Sequence, residues 1–137
     1  MDFVILIGRI LFVALFLGAA MNHFTQAKPM TGYAQARGVP MPAVGVYGGG
    51  VLLGLGGLSV LFGIWPDLGA LLLVIFLIPT ALLMHAFWKE TDPQSRMNEM
   101  IQFQKDLALG GASLMLFGLF ANLGDDLGLV IAAPLFG

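Results

Sequence analysis

Apolar residues run almost unbroken through four stretches of this chain, Phe3 to Met21, Ala43 to Trp65, Leu68 to Trp88 and Leu107 to Leu123, with polar residues gathered between them. Each stretch is about long enough to cross a ~30 Å hydrocarbon core at 1.5 Å per residue. A helix buried in a soluble protein would keep a polar stripe for water, and these stretches have none. The pattern predicts an all-α fold: an antiparallel, up-down bundle of four transmembrane helices, with spans at about 3–23, 43–65, 68–88 and 98–122. We read residues 1–137 as a single membrane domain. The first stretch ends in Gly18, Ala19 and Ala20, as a secretory signal would, but no basic segment precedes it and Arg9 interrupts its apolar run. It is therefore expected to be a retained span.

The connections carry their own signals. The first, TQAKPMTGYAQARGVPMP, places Met30, Tyr33 and Ala34 on one side of a short helix between Pro29 and Gly38. Such a helix lies in the interface, with Tyr33 at headgroup depth and Lys28 and Arg37 in water. The second span holds the GxxxG pairs Gly45/Gly49 and Gly50/Gly54, a spacing that lets helices approach closely and marks this as the inner helix. The same spacing suits a homo-oligomer contact. IWPDLG is short enough to force a hairpin between the second and third spans. Pro79 removes a backbone hydrogen bond from the third span and is expected to kink or locally unwind it. Asp92 before Pro93 reads as an N-cap with proline in the first turn, so the fourth helix starts outside the apolar stretch. From Pro93 to Asn122 it would be about 45 Å long. After Asp125 and Asp126 the tail, 127–137, is apolar but too short to cross, and is expected to pack on the bundle or lie in the interface.

Composition sharpens this picture. The chain is 58% hydrophobic and 10% charged, against roughly 25% charged in soluble domains. Five of the six basic residues, Lys28, Arg37, Lys89, Arg96 and Lys105, fall in or beside the first and third connections. The positive-inside rule then puts loops 24–42 and 89–105 in the cytoplasm and both termini outside. There is no cysteine, which excludes disulfides and Cys-ligated clusters. No basic cluster points to nucleic acid.

Few polar side chains remain to do chemistry. His85 and Trp88, three residues apart, are expected on one helix face, at the same side of the membrane as Asn22 and His23. Lys105 and Asp106 enter the top of the fourth span, with Gln102 within reach of both. Arg9 lies about 21 Å from His23 along the first helix, toward the other membrane face. It is expected to snorkel, to find a structural pair, or to touch a ligand. Two histidines without HxxxH or ExxH spacing make a weak metal site, and none is predicted.

The order GRILFVALFLGAAMNHF, GYAQARGVPMP, LLGLGGLSVLFG, GALLLVIFLIPTALLMHAFW and FQKDLALGGASLMLF resembles the DoxX family of small four-helix membrane proteins, over nearly the whole chain. The most specific pieces are Gly8 with Arg9, Gly38 to Pro40, His85 with Phe87 and Trp88, and Lys105 with the LALGG after Asp106. Two departures stand out: Asn22 and His23 replace a Gly-x-x-Lys ending of the first helix, and Asp106 stands where asparagine is usual. The resemblance implies a bacterial-type plasma membrane and a place in a redox system, since some members resemble subunits of a thiosulfate:quinone oxidoreductase and others are linked to redox stress. The leading expectation is a subunit that meets quinone near one interface through His85, His23, Trp88 and Lys105, with Asp106 or Glu99 accepting from water; Asn22 and Arg9 complete the candidate ligand-binding residues. Nothing in the sequence fixes a cofactor or an enzymatic activity. A non-catalytic anchor for a soluble partner and a small-molecule carrier stand as alternatives.

Overall fold

The computed structural model describes residues 1–137. Five helices follow in order: α1 Asp2–Thr25, α2 Ala27–Ala36, α3 Pro42–Phe62, α4 Pro66–Met84 and α5 Pro93–Leu123, with single 3-10 turns at Phe87–Lys89 and Gly124–Asp126. There is no sheet, and one isolated parallel bridge joins Ile64 to Ala132. The four long helices are the four expected spans, each long and apolar enough to cross a membrane, and α2 is the short helix of the first connection. Large apolar side chains such as Leu11, Leu15, Leu55, Ile75, Leu82, Leu114 and Met115 point outward around the bundle. The surface is thus apolar where a soluble protein's would be polar.

α3 is the inner helix, packed against α1, α2 and α4, while α5 packs on α4. Small residues make this approach feasible. A Cβ on Gly56 would lie 2.9 Å from the Gly69 carbonyl oxygen, and one on Gly57 would lie 3.0 Å from Leu17. The close contacts of the glycine-rich helix are therefore made within the chain, by Gly49, Gly50, Gly56 and Gly57. Two apolar layers fill the interior: Val13, Val60, Ala70, Phe120 and Leu127 toward the termini, and Phe16, Ala20, Leu53, Leu73 and Leu77 in the middle. A third, Ala27, Ala34 and Val46, seats α2 on α3.

Helix ends follow the local sequence. Asp92 accepts a hydrogen bond from the Ser95 N–H at 2.9 Å, as the Asp-Pro pair predicts, and the 31 residues of α5 span about 46 Å. Gly63 ends α3 in the left-handed region at φ 65, where Val130 lies so close that a Cβ would be 2.7 Å from its backbone. Pro79 does not unwind α4, which runs unbroken from Pro66 to Met84. Packing against α3 on one side and α5 on the other holds the helix through the missing bond. The third span's helix also stops at Met84, four residues before the end expected from hydropathy. His85 has left helical geometry at φ −117, ψ 41.

The tail packs on the bundle. Asp67, 0% exposed, accepts from Leu68 N at 2.9 Å, Leu135 N at 2.8 Å and Phe136 N at 2.6 Å. Gly63 O accepts from Ile131 N and Ala132 N, and Trp65 N donates to Ala132 O. The tail is thereby strapped across the α3–α4 hairpin.

Candidate functional site

At the end of the bundle away from the termini, α1 delivers His23 into the interior. Room for its ring comes from α3: a Cβ on Gly49 would lie 3.0 Å from His23 Cε1, and one on Gly50 would lie 2.9 Å from His23 Cβ. Phe76 of α4 meets the ring edge-on at 5.5 Å. His23 Nδ1 donates to the Val46 carbonyl oxygen at 2.7 Å. A carbonyl only accepts, so the proton sits on Nδ1, and Nε2 is left without a partner in the protein.

His85, just past the end of α4, faces two carboxylates of α5. Its Nδ1 donates to Glu99 Oε2 at 2.7 Å, and its Nε2 lies 3.6 Å from Asp106 Oδ2. Glu99 and Asp106 are seven residues apart, two turns on one helix face, and one imidazole spans them. Glu99 also accepts from the Tyr33 hydroxyl and lies 3.2 Å from Arg37 Nη2. Two hydrogen-bond donors and a guanidinium charge converge on it, so Glu99 acts as an ionised acceptor. Arg37 in turn pairs with Glu90 and donates from Nε to the Met84 carbonyl oxygen at 2.9 Å, an orphan carbonyl at the end of α4.

These contacts fasten α2 to the bundle and shift the ionisation of Tyr33 in it and of Arg37 at its C-terminal cap. Burial, and then the hydrogen bond and charge of Glu99, push the Tyr33 phenol up to about 12. Burial works against the charge on Arg37, but the Glu90 hydrogen bond and the negative groups around it hold its guanidinium above the ordinary value. The sequence reading left Arg37 in water. Its side chain is instead mostly covered, because α2 folds back over the bundle end and brings it to acids that follow more than fifty residues later.

Between α2, α3, α4 and α5 lies a half-open cavity of about 720 Å³. Its walls are apolar, with Met30, Val39, Leu52, Ile75, Phe76 and Pro79 among them, and its polar lining includes His23, Tyr33, His85, Lys105 and Asp106. Asp106 is 7% exposed. Lys105 reaches Gln102 Oε1 at 2.5 Å, one turn back on α5, while Asp106 turns away from both toward His85. No three His, Asp or Glu side chains converge as a metal set.

Three expected site residues lie elsewhere. Trp88, 47% exposed, packs edge-on against Phe87 and Phe103 and does not share a face with His85, because the helix that would have aligned them ends at Met84. Asn22 points outward at the end of α1, since its neighbour His23 takes the inward direction. Arg9 is buried at the opposite end, where Nε donates to Val60 O at 2.9 Å and Nη2 to Leu61 O at 2.8 Å and Leu129 O at 2.9 Å. It closes the carbonyl end of α3 and holds the tail. Conversely, Tyr33, Arg37 and Glu90 were not among the expected site residues, and Glu99 was expected to accept from water rather than to hold Tyr33 and His85.

Four spans with apolar outer faces and ionisable groups drawn to the helix ends define an integral membrane protein of the helical-bundle class, in contact with the lipid bilayer. The family model described as DoxX matches residues 4–86, three of the four spans and the interfacial helix, and the chain belongs to the DoxX family. No curated protein and no solved structure matches it.

Proposed function

We propose that this chain is the quinone-binding membrane subunit of a redox system. The observation that carries the reading is the cavity of about 720 Å³, apolar over most of its wall and polar where His85, Lys105 and Asp106 meet. That volume lies within the roughly 300–1,000 Å³ of small-molecule sites, and the division of its lining suits a ring with polar oxygens and an apolar tail. The partnerless Nε2 of His23 adds an orienting group on a second wall.

When bound, the quinone supplies two-electron chemistry, with the electrons exchanged through a soluble or membrane redox partner. The chain's own residues bind, orient and handle protons. Apolar side chains of α3 and α4 exclude water. Asp106 and His85 take or give a proton at the ligand's oxygens, and His85, through Nδ1, connects them to Glu99. The basic residues Lys28, Arg37, Lys89, Arg96 and Lys105 all belong to this end of the molecule, which by the positive-inside rule supports a cytoplasmic position for the cavity and an outside position for both termini, in the bacterial-type inner membrane that the family resemblance implies.

Extraction of the protein purified in mild detergent tests the reading. One quinone per chain is expected from the wild type, with loss in His85→Ala and Lys105→Ala. No quinone in the wild type, or equal amounts in all three, overturns it. A soluble enzyme co-purifying without any quinone would favour the anchor role.

A further inference from the structure

Two buried side-chain nitrogens have no hydrogen-bond partner in the protein, Arg37 Nη2 and Arg9 Nη1. The first lies 3.2 Å from Glu99 Oε2, whereas no carboxylate comes within 4.0 Å of Arg9. Arg9 is 3% exposed, and its Nε and Nη2 meet only the neutral carbonyls of Val60, Leu61 and Leu129. Carbonyls satisfy N–H groups without cancelling the charge, and a buried charge without a counter-ion is costly.

Arg9 also lines a groove at the end of the bundle away from the cavity. α1 packs on α3 and α5 on α4, but α1 and α5 do not close on one another as the other neighbouring spans do, and an apolar groove of about 550 Å³ runs between them. Ile5, Phe12, Leu116, Leu119 and Phe120 help to form it, and Arg9 is the one polar residue among the eleven that line it. Gly8, with nothing within 4 Å of a Cβ built on it, keeps the α1 wall low. On α5 the groove runs from Ala112 to Leu123, about 16 Å by helical rise, or half of a ~30 Å hydrocarbon core. It is one leaflet deep. Its outer mouth is acidic: Asp125 and Asp126 are exposed in the turn between the lining residues Leu123 and Leu127, and Asp2 is exposed one turn before Ile5. None of the three has a cationic partner within 4.0 Å.

We propose that this groove holds one zwitterionic phospholipid bearing a primary amine, from the leaflet beside the chain termini. An acyl chain fills the apolar groove, the phosphate lies against the Arg9 guanidinium, and the ammonium outside it meets Asp125 and Asp126. A lipid of net negative charge would answer Arg9 but face the acids at the mouth. A choline lipid carries both charges but has no N–H to donate to those acids.

Native mass spectrometry of the delipidated protein, incubated at about pH 7 with dioleoyl phosphatidylethanolamine, phosphatidylglycerol or phosphatidylcholine in turn, counts the lipids held per chain. The wild type is expected to hold one phosphatidylethanolamine in the groove about tenfold or more tighter than either of the others, the discrimination of one hydrogen bond between charged groups. Gly8→Leu puts a side chain into the groove and leaves Arg9 in place. It is expected to weaken that binding at least tenfold, with the thermal midpoint of the lipid-free protein unchanged. Phosphatidylglycerol held by the basic residues at the opposite end is told apart because it survives Gly8→Leu. The double change Asp125→Asn and Asp126→Asn, at exposed positions, is expected to bring phosphatidylglycerol level with phosphatidylethanolamine or above it. The proposal is overturned by a wild type that holds no lipid, by phosphatidylethanolamine binding that is equal in Gly8→Leu, by a headgroup preference unmoved in the double variant, or by a lipid-free dimer that Gly8→Leu disperses, which would put a second copy in the groove.

Discussion

Replacing Asp67 by asparagine should free the C-terminal tail without disturbing the bundle beneath it. Asp67 Oδ1 accepts from Leu68 N and Leu135 N, and Oδ2 accepts from Phe136 N. Asparagine keeps the shape and one of the two oxygens, so one of the tail's N–H groups must face an NH2 donor. Hydrogen bonds to a charged acceptor contribute about 1.5–3 kcal/mol each, and losing one shifts the local opening equilibrium by roughly tenfold to a hundredfold. The tail's other ties, through Gly63, Trp65 and Arg9, remain. Hydrogen exchange in detergent micelles reads this residue by residue. Amides of Leu135 and Phe136 should exchange faster by that factor, with those around Leu53 and Leu73 unchanged. Unaltered exchange at the two tail amides, or an equal rise through the whole bundle, would show that Asp67 is not a local clasp.

Other expectations follow from the same geometry. Tyr33, with its phenol raised from 10.0 to about 12, should titrate late in a Tyr47→Phe background by ultraviolet absorbance, and Glu99→Gln should lower the midpoint by removing the charge beside it. Because the folded value lies above the unfolded one, the contribution of Tyr33 to docking α2 is whole below about pH 10 and disappears as pH rises toward about 12, visible as protease cleavage of the 24–42 segment. Arg9→Met should leave the carbonyls of Val60, Leu61 and Leu129 without their donors, each costing about 1–3 kcal/mol, and should lower the thermal midpoint in detergent more than Arg96→Met. Gly49→Leu should close His23 out of its seat, since even a Cβ there meets Phe76 at 2.8 Å, and loss of any bound ligand together with lowered stability is the expected result. A Gly111→Leu change, with nothing within 4 Å of the new Cβ, should be tolerated in the same stability assay.

The four spans were legible because hydrophobicity over twenty residues is a property of the chain alone. The Asp92–Pro93 start of α5 was equally local. The end of α4 was not. Phe87 and Trp88 extend the apolar run, but the chain turns at His85, where the imidazole bonds to Glu99 on α5 and the Met84 carbonyl is taken by Arg37. That exit depends on residues from two other helices, and no window of sequence contains it. The same holds for the site. His23, His85, Lys105 and Asp106 were visible as scarce polar groups in an apolar chain, whereas Tyr33 and Arg37 looked like ordinary interfacial residues until α2 was seen folded over the bundle end. Asn22 beside His23 shows the limit from the other side. Adjacent residues differ by about 100° on a helix, and only the packing of α1 on α3 decides which of the two faces inward.

Arg9 ties the geometry of the finished protein to the order of its synthesis. Its acceptors lie 51, 52 and 120 residues further along the chain. The first helix is therefore made before any of these acceptors exists, and its guanidinium finds its three carbonyls only once α3 and then the segment around Leu129 have followed it.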